Sequence, residues 1–277
     1  MDGRRPGTGT VGKGASAVGH AVVHFELGGA DDGPLVAFYG ELFGWGLQGL
    51  SGGGYTMIDT RGGAGINGGI GKSQGGQPWS AFYVEADDLQ ATLDKANSLG
   101  GTTVMPVTDF GGTVTIAMFN DPDGLVVGLV RAPGEPPAGD EPAPSAGSGA
   151  PVTWFEVMGS DAARTQKFYA DLFGWTVDSS AFPGYATVDT GAGRGIQGGL
   201  GGGVQGRWAT VYARVAGVDQ TLGRAEKLGG SRIGDSGVQE LKAAARAALY
   251  GAASSGGMKT GAFRDPAGNV FGIFHRD

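Results

Sequence analysis

The chain contains no cysteine. That removes disulfide frames, thiolate zinc sites, iron–sulfur clusters and cysteine nucleophiles from consideration. It has no cluster of basic residues either. Lys and Arg number 20 against 27 Asp and Glu, for a net charge of −7. A chain of that sign is a poor match for nucleic acid or for an anionic membrane surface. No apolar run approaches the roughly 20 residues of a membrane span. Residues 1–19 carry Arg4, Arg5 and Lys13 among glycines and have no apolar stretch. They read as a disordered tail rather than a signal peptide, which points to a cytoplasmic protein. Histidine is scarce, with three residues: His20, His24 and His275. Glycine is the opposite case, 58 of 277, without the three-residue period of collagen. It gathers at 52–54, 62–71 and 191–203, which suggests tight turns and thin strand surfaces.

The chain repeats itself. Phe38-Tyr39-Gly40-Glu41-Leu42-Phe43-Gly44-Trp45 returns as Phe168-Tyr169-Ala170-Asp171-Leu172-Phe173-Gly174-Trp175, a spacing of 130. Gly54-Tyr55-Thr56-Met57-Ile58-Asp59-Thr60 returns as Gly184-Tyr185-Ala186-Thr187-Val188-Asp189-Thr190 at the same spacing. One spacing held across separated blocks means a duplicated domain. Between the copies, residues 132–151 hold six prolines with Gly, Ala and Ser, the composition of a semi-extended linker. The expected domains are 20–131 and 152–277. Trp79 matches Trp208 at 129, but Asp121-Pro122-Asp123-Gly124 matches Asp265-Pro266-Ala267-Gly268 at 144. The second domain therefore carries an insert near residues 238–254. Its run Glu240–Tyr250 is a strong helix former, either a surface excursion or a lid or partner-contacting element.

Within each domain a strand-like run, such as Ala21–Leu27, precedes a helical pattern. Leu35, Phe38, Tyr39 and Leu42 share one face, and Gly44 follows where a C-terminal glycine belongs. Tyr55–Asp59, Gly65–Ile70, Trp79–Glu85, Thr113–Phe119 and Leu125–Val130 read as strands, and Leu89–Leu99 as a helix. The second half repeats the order from Val152 and Trp208. Four βαβββ-like units, two per domain, predict an α+β fold.

These blocks resemble the vicinal oxygen chelate superfamily, which includes glyoxalase I, extradiol dioxygenases and bleomycin-resistance proteins. The resemblance rests on four blocks. They are His24-Phe25-Glu26-Leu27, the Phe-Tyr-x-x-Leu-Phe-Gly-Trp helix end, Val84-Glu85-Ala86-Asp87-Asp88-Leu89, and Asp-Pro-x-Gly before the last strand. The tandem layout is similar to two-domain actinobacterial members. The resemblance implies, for each domain, paired modules forming a cupped, mostly antiparallel sheet with helices outside it.

It also implies four strand positions at which metal-dependent members place ligands. Here the first is His24 or Trp154 and the second lies near Gly69 or Gly199. The third is Ala81 or Thr210, and the fourth Gly128 or Gly272. A divalent first-row ion needs about three protein ligands. One imidazole among Gly and Ala falls short, so the expectation is a protein without metal or other cofactor.

Alternation along a strand places Glu26 on the face of His24, Glu156 with Trp154, Asn67 with Gly69, Gln197 with Gly199, Tyr83 with Ala81, and Tyr212 with Thr210. His24 and Glu26 are the candidate acid/base pair, or else an inert histidine beside a structural carboxylate. Asn67, Tyr83, Tyr55, Trp79, Trp154, Glu156, Gln197, Thr210 and Tyr212 are the candidate ligand contacts. Trp79 and Trp208 are read as edge packing or stacking platforms, and His20 and His275 as solvated. Glycine at ligand positions is expected to leave volume for a flat ligand.

Three functions remain open at this point. One is metal-independent binding of an aromatic natural product or antibiotic, to sequester or tailor it. The second is a tailoring enzyme (hydroxylase, cyclase or isomerase) using His24 and Glu26. The third is a regulatory or interaction protein using the insert. The domains are expected to pair within the chain or in a homodimer.

Overall fold

A computed structural model describes residues 19–73, 75–131, 149–203, 206–233 and 258–276. The expected tail, most of the linker, and the 238–254 insert lie outside the described residues. In chain order the elements are β1 (Val22–Gly29), α1 (Gly33–Phe43), β2 (Gly46–Gly49), β3 (Tyr55–Asp59), β4 (Asn67–Lys72), β5 (Trp79–Ala86), α2 (Leu89–Ser98), β6 (Thr102–Asp109), β7 (Thr115–Asn120) and β8 (Val126–Arg131). The second half gives β9 (Val152–Gly159), α3 (Ala162–Phe173), β10 (Thr176–Phe182), β11 (Tyr185–Asp189), β12 (Gln197–Gly202), β13 (Trp208–Arg214), α4 (Val218–Lys227), β14 (Ser231–Arg232), β15 (Met258–Arg264) and β16 (Val270–Arg276).

Local chemistry explains the elements. The apolar stripe of α1 buries Leu35, Phe38, Tyr39, Leu42 and Phe43. The helix stops at Gly44, whose φ of 68° is left-handed and costs a residue without Cβ little. Asp161 caps α3 by accepting from the Arg164 N–H. The strand β6 escapes a reading of alternation because it holds Pro106 and breaks register on both sides of Met105. A proline is tolerated there because β6 is an edge strand.

Each half forms one eight-stranded sheet, in the order β2-β3-β4-β1-β5-β8-β7-β6 and its counterpart β10-β11-β12-β9-β13-β16-β15-β14. The two modules of a half join antiparallel through β1 and β5, with Glu26 opposite Ala81. The pairs β1–β4 and β5–β8 are parallel, and the remaining pairs antiparallel. The fold is α+β with two tandem sheets of paired βαβββ modules.

The helices cover the sheet face turned away from the cup, and in this chain those two faces meet. Phe82 of β5 lies 4.8 Å from Phe155 of β9, and Phe38 of α1 lies 5.7 Å from Phe263 of β15. One continuous apolar core runs through both halves. Two kinds of polar contact between the halves come in reciprocal pairs. Trp45 Nε1 donates to Ala150 O and Trp175 Nε1 to His20 O, both at 2.9 Å. Tyr39 donates to Asp265 at 3.0 Å and Tyr169 to Asp121 at 3.1 Å. The repeated tyrosine of the Phe-Tyr block therefore anchors in the Asp-Pro turn of the other half. His20 corrects the expectation of a solvated residue. It is half-buried, 5.5 Å from the Phe173 ring, with Nδ1 2.7 Å from the Glu85 carbonyl. His275 likewise places Nδ1 2.9 Å from the Val215 carbonyl.

Candidate functional site

Register brings the first cup together. His24 lies opposite Asn67 on one side and Tyr83 on the other, Glu26 opposite Gly69 and Ala81, and Tyr83 opposite Gly128. At the floor, Glu26 accepts from Tyr55 at 2.7 Å through Oε1 and from Tyr83 at 2.5 Å through Oε2. His24 Nε2 lies 3.0 Å from the Tyr55 hydroxyl and 4.0 Å from Glu26 Oε1. The expected His24–Glu26 pair is thus bridged by a phenol rather than in direct hydrogen bond.

The glycines at the ligand positions do not leave open volume, which corrects that expectation. A Cβ on Gly69 would fall 2.0 Å from the Tyr55 hydroxyl, and one on Gly128 2.4 Å from the Tyr83 ring. On the opposite face of the same strand, a Cβ on Gly68 would fall 2.6 Å from Phe25. The glycine strand is thin because aromatic rings from its neighbours cover both faces. No alternation pattern reveals this, since the rings come from other strands.

The second cup repeats the carboxylate and its two phenols and adds a third donor. Glu156 accepts from Tyr212 at 2.9 Å, Tyr185 at 3.3 Å and Trp208 Nε1 at 2.8 Å. Tyr185 and Tyr212 lie over Gly199 and Gly272. Trp208 pairs with Met158 in register, as Trp79 pairs with Gly28. Trp79 fits against Gly28, where a Cβ would fall 1.9 Å from its Nε1. Met158 fills the corresponding place, and Trp208 turns onto the carboxylate instead. Glu156 is fully buried, whereas the side chains of Glu26 and His24 keep 11% and 24% exposure. Trp208, read from the sequence as edge packing or a stacking platform, is a hydrogen-bond donor to the buried acid. The Gly28–Met158 difference at the 130 spacing was the signal that marks it.

The other sequence-assigned residues divide. Trp154 is buried in the second cup at the place of His24. Asn67 Oδ1 accepts from Thr60 N at 3.0 Å, and Gln197 Oε1 from Thr190 N at 2.9 Å, so these carbonyls close the loop after β3 and β11. Thr210 donates to Val270 O at 2.6 Å. The first cup also has an apolar wall in which Ala81, Tyr83 and Trp79, named from the sequence, are joined by Met105, Ile116, Met118, Val126 and Val130, which were not. Alternation along β7 and β8 would have placed Met118 and Ile116 there. The second cup has smaller side chains at the places of that wall equivalent to Ile116 and Met118. Thr260 and Ala262 pair with Phe274 and Gly272 as Ile116 and Met118 pair with Val130 and Gly128.

Burial dominates the protonation of both floors. It pushes Glu26 and Glu156 above the ordinary carboxyl range, opposed by the phenol and indole donors. It raises Tyr55 and Tyr83, with the Glu26 charge adding to the effect, so both phenols keep their protons. His24 is lowered by burial from 6.5 to about 4. Between pH 4 and 6.5 the unfolded chain therefore binds a proton at this position that the folded chain does not, and stability rises with pH. Relative to His24→Ala, the wild type should gain up to ~3 kcal/mol over that window and nothing above it. Urea unfolding of both proteins at several pH values checks this, and parallel stability curves would sink it.

The donor set does not suit a metal ion. Among the described residues no three His, Cys, Asp or Glu side chains converge. At the floor, both Glu26 oxygens are engaged by phenols and the places of two further ligands are covered by their rings. Also among the described residues, no helix is long and apolar enough to cross a membrane.

Known proteins agree with this architecture. The family model of the Glyoxalase/Bleomycin resistance protein/Dioxygenase superfamily matches residues 21–129, and that of the Bleomycin resistance protein-like N-terminal family matches residues 152–191. The chain is 28% identical over 230 residues to the anthracycline biosynthesis protein DnrV of Streptomyces peucetius, covering 75% of this chain and 81% of DnrV. It is 32% identical over 114 residues to the putative glyoxylase CFP32 of Mycobacterium tuberculosis, 39% of this chain and 44% of that protein. Among solved structures, the Mn(II)-bound glyoxalase from Novosphingobium aromaticivorans superposes with a TM-score of 0.58 at 14% identity, over 92% of this chain and 83% of that one. The 2,3-dioxygenase LapB from Pseudomonas sp. KL28 gives 0.58 at 14%, over 94% and 93%. At such identity the likeness is one of fold. With both of its halves built on that plan, the chain belongs to the glyoxalase/bleomycin resistance/dioxygenase superfamily as a tandem two-domain member.

Proposed function

We propose that this chain is a metal-independent, cytoplasmic small-molecule-binding protein. Its first-domain cup takes an aromatic natural product of polyketide type, to sequester or to tailor it. The observation that carries the reading is the floor of that cup. Tyr55 and Tyr83 cover Gly69 and Gly128 and bind both oxygens of Glu26, which turns a coordination site into a hydrogen-bonding one. The apolar wall around Trp79, Met105, Ile116 and Met118 offers stacking and dispersion to a flat ring system. The likeness to proteins of anthracycline biosynthesis supports an aromatic polyketide as the ligand class.

The test is a titration of the full chain with a hydroxyanthraquinone, followed by absorbance. One site per chain is expected, with Kd near or below ~1 μM, about −8 kcal/mol. Prior treatment with a chelator should leave it unchanged. Near one equivalent of Fe, Ni or Zn whose removal abolishes binding would overturn the reading. The mass of the recovered ligand separates the two fates: unchanged for sequestration, altered for tailoring.

A second reading, a tailoring enzyme using His24 and Glu26 as acid and base, is favoured by one observation. Tyr55 joins the two groups, with 3.0 Å to His24 and 2.7 Å to Glu26, so a proton has a continuous path between them. The third reading, an interaction surface on the 238–254 insert, rests on residues outside those described.

A further inference from the structure

We propose that the Glu26–Tyr55 chain holds His24 as its Nε2–H tautomer, leaving Nδ1 a bare acceptor, so that the first cup selects ligands presenting a hydroxyl donor. The ligand half of this inference rests on the proposed function; the tautomer does not.

The number of available protons fixes the tautomer. A phenol has one to donate, and a neutral imidazole has one. Tyr83 has Glu26 Oε2 at 2.5 Å, and its other polar neighbour is the weakly accepting Met118 sulfur at 3.8 Å. Its proton goes to Glu26. Tyr55 reaches the other carboxyl oxygen at 2.7 Å, closer than His24 Nε2 at 3.0 Å. Two phenols aimed at separate oxygens is the arrangement of a carboxylate accepting at both ends. The Tyr55 proton is then spent on Glu26, and the Tyr55 oxygen has only lone pairs left for His24. Nε2 must donate, and Nδ1 carries no proton.

Nδ1 has no partner among the described residues, and the His24 side chain keeps its 24% exposure. A ligand entering between the apolar walls therefore meets an acceptor. A phenol or hydroxyquinone satisfies it; the matching methyl ether leaves two acceptors facing each other. The second cup has no such reader, because Trp154, whose N–H can only donate, stands in place of His24.

The other two histidines supply an internal control. His20 and His275 each set Nδ1 against a backbone carbonyl, at 2.7 and 2.9 Å. A carbonyl only accepts, so both rings carry a proton on Nδ1, the nitrogen that the proposal leaves bare in His24.

The experiment is a long-range proton–nitrogen correlation spectrum of the full chain at neutral pH, with nitrogen-15 in its histidines. His24 is identified by the signals lost in His24→Gln. The expected pattern is Nε2–H with an unprotonated Nδ1 for His24, and a protonated Nδ1 for the other two. A protonated Nδ1 on His24 would overturn the proposal. In Tyr55→Phe, which keeps the ring over Gly69, the His24 pattern should become a tautomer mixture; an unchanged pattern shows that Tyr55 does not set it. The second arm compares a hydroxyanthraquinone with its methyl ether. The hydroxyl form should bind about tenfold more tightly, and Tyr55→Phe should erase most of that preference. Equal binding overturns the selectivity even where the tautomer holds. Binding of neither compound refutes the proposed function together with the ligand half, while the spectrum still decides the tautomer.

Discussion

Glu156→Ala should destabilise the chain by ~3–5 kcal/mol, whereas Glu26→Ala should cost no more than about half of that. The two carboxylates are equivalent in the repeat, and their surroundings set them apart. Glu156 is fully buried and accepts hydrogen bonds from Tyr185, Tyr212 and Trp208. Truncation strands two donors on buried tyrosines and a third on the half-buried Trp208, around an acid with no solvent exposure. Each orphaned donor costs about 1–3 kcal/mol, and the sum is less than additive because they share one acceptor. Glu26 has two donors and keeps 11% side-chain exposure beside a half-open histidine. Water entering the cup replaces much of what the carboxylate supplied. Thermal unfolding reads the difference as a fall of ~10 °C for Glu156→Ala and a few degrees for Glu26→Ala. Equal falls would show that the second cup is as wet as the first.

Trp45→Ala should lower the melting of the whole molecule, not that of one half. The indole is 4% exposed and stacks on Tyr39 at 5.5 Å with 7° between the planes. It touches Phe43 at 4.7 Å and, across the junction, Phe271 of the second half at 5.9 Å. Its N–H is bound by Ala150 O at 2.9 Å. Removing a buried tryptophan costs ~3–5 kcal/mol, and here the cavity opens into a core built from both sheets. Calorimetry should show one cooperative transition moved down by ~10 °C. Two transitions, the later one at the wild-type temperature, would mean that the halves unfold independently and that the shared core is energetically weak.

Much of this architecture was legible in the chain. The 130 spacing announces the duplication, and the stripe Leu35, Phe38, Tyr39 and Leu42 ending at Gly44 announces a helix and its stop. Alternation placed Glu26 on the face of His24 and Tyr83 on that of Ala81, the resemblance put both pairs in one cup, and the strand register sets them side by side. The readings that failed did so for identifiable reasons. Gly69 and Gly128 looked like empty space because a glycine says nothing about which neighbour will cover it. Asn67 and Gln197 lie on the expected strands, yet their carbonyls are taken up by local loop closure with Thr60 and Thr190. The strand β6 was hidden by Pro106 and by two breaks in register, features that an edge position tolerates.

The order of elements, the repeat and the shortage of metal-binding side chains were determined by the sequence itself, because they depend on spacing and residue type along the chain. Which groups fill the two cups was decided only by tertiary structure. Tyr55 reaches Glu26 from β3, two strands away across β4, and Tyr83 from the adjacent β5. Trp208 seals one carboxylate and Trp79 leaves the other open because Met158 stands where the first domain has Gly28. Those outcomes turn on packing between strands far apart in sequence, where one side chain's volume displaces another's.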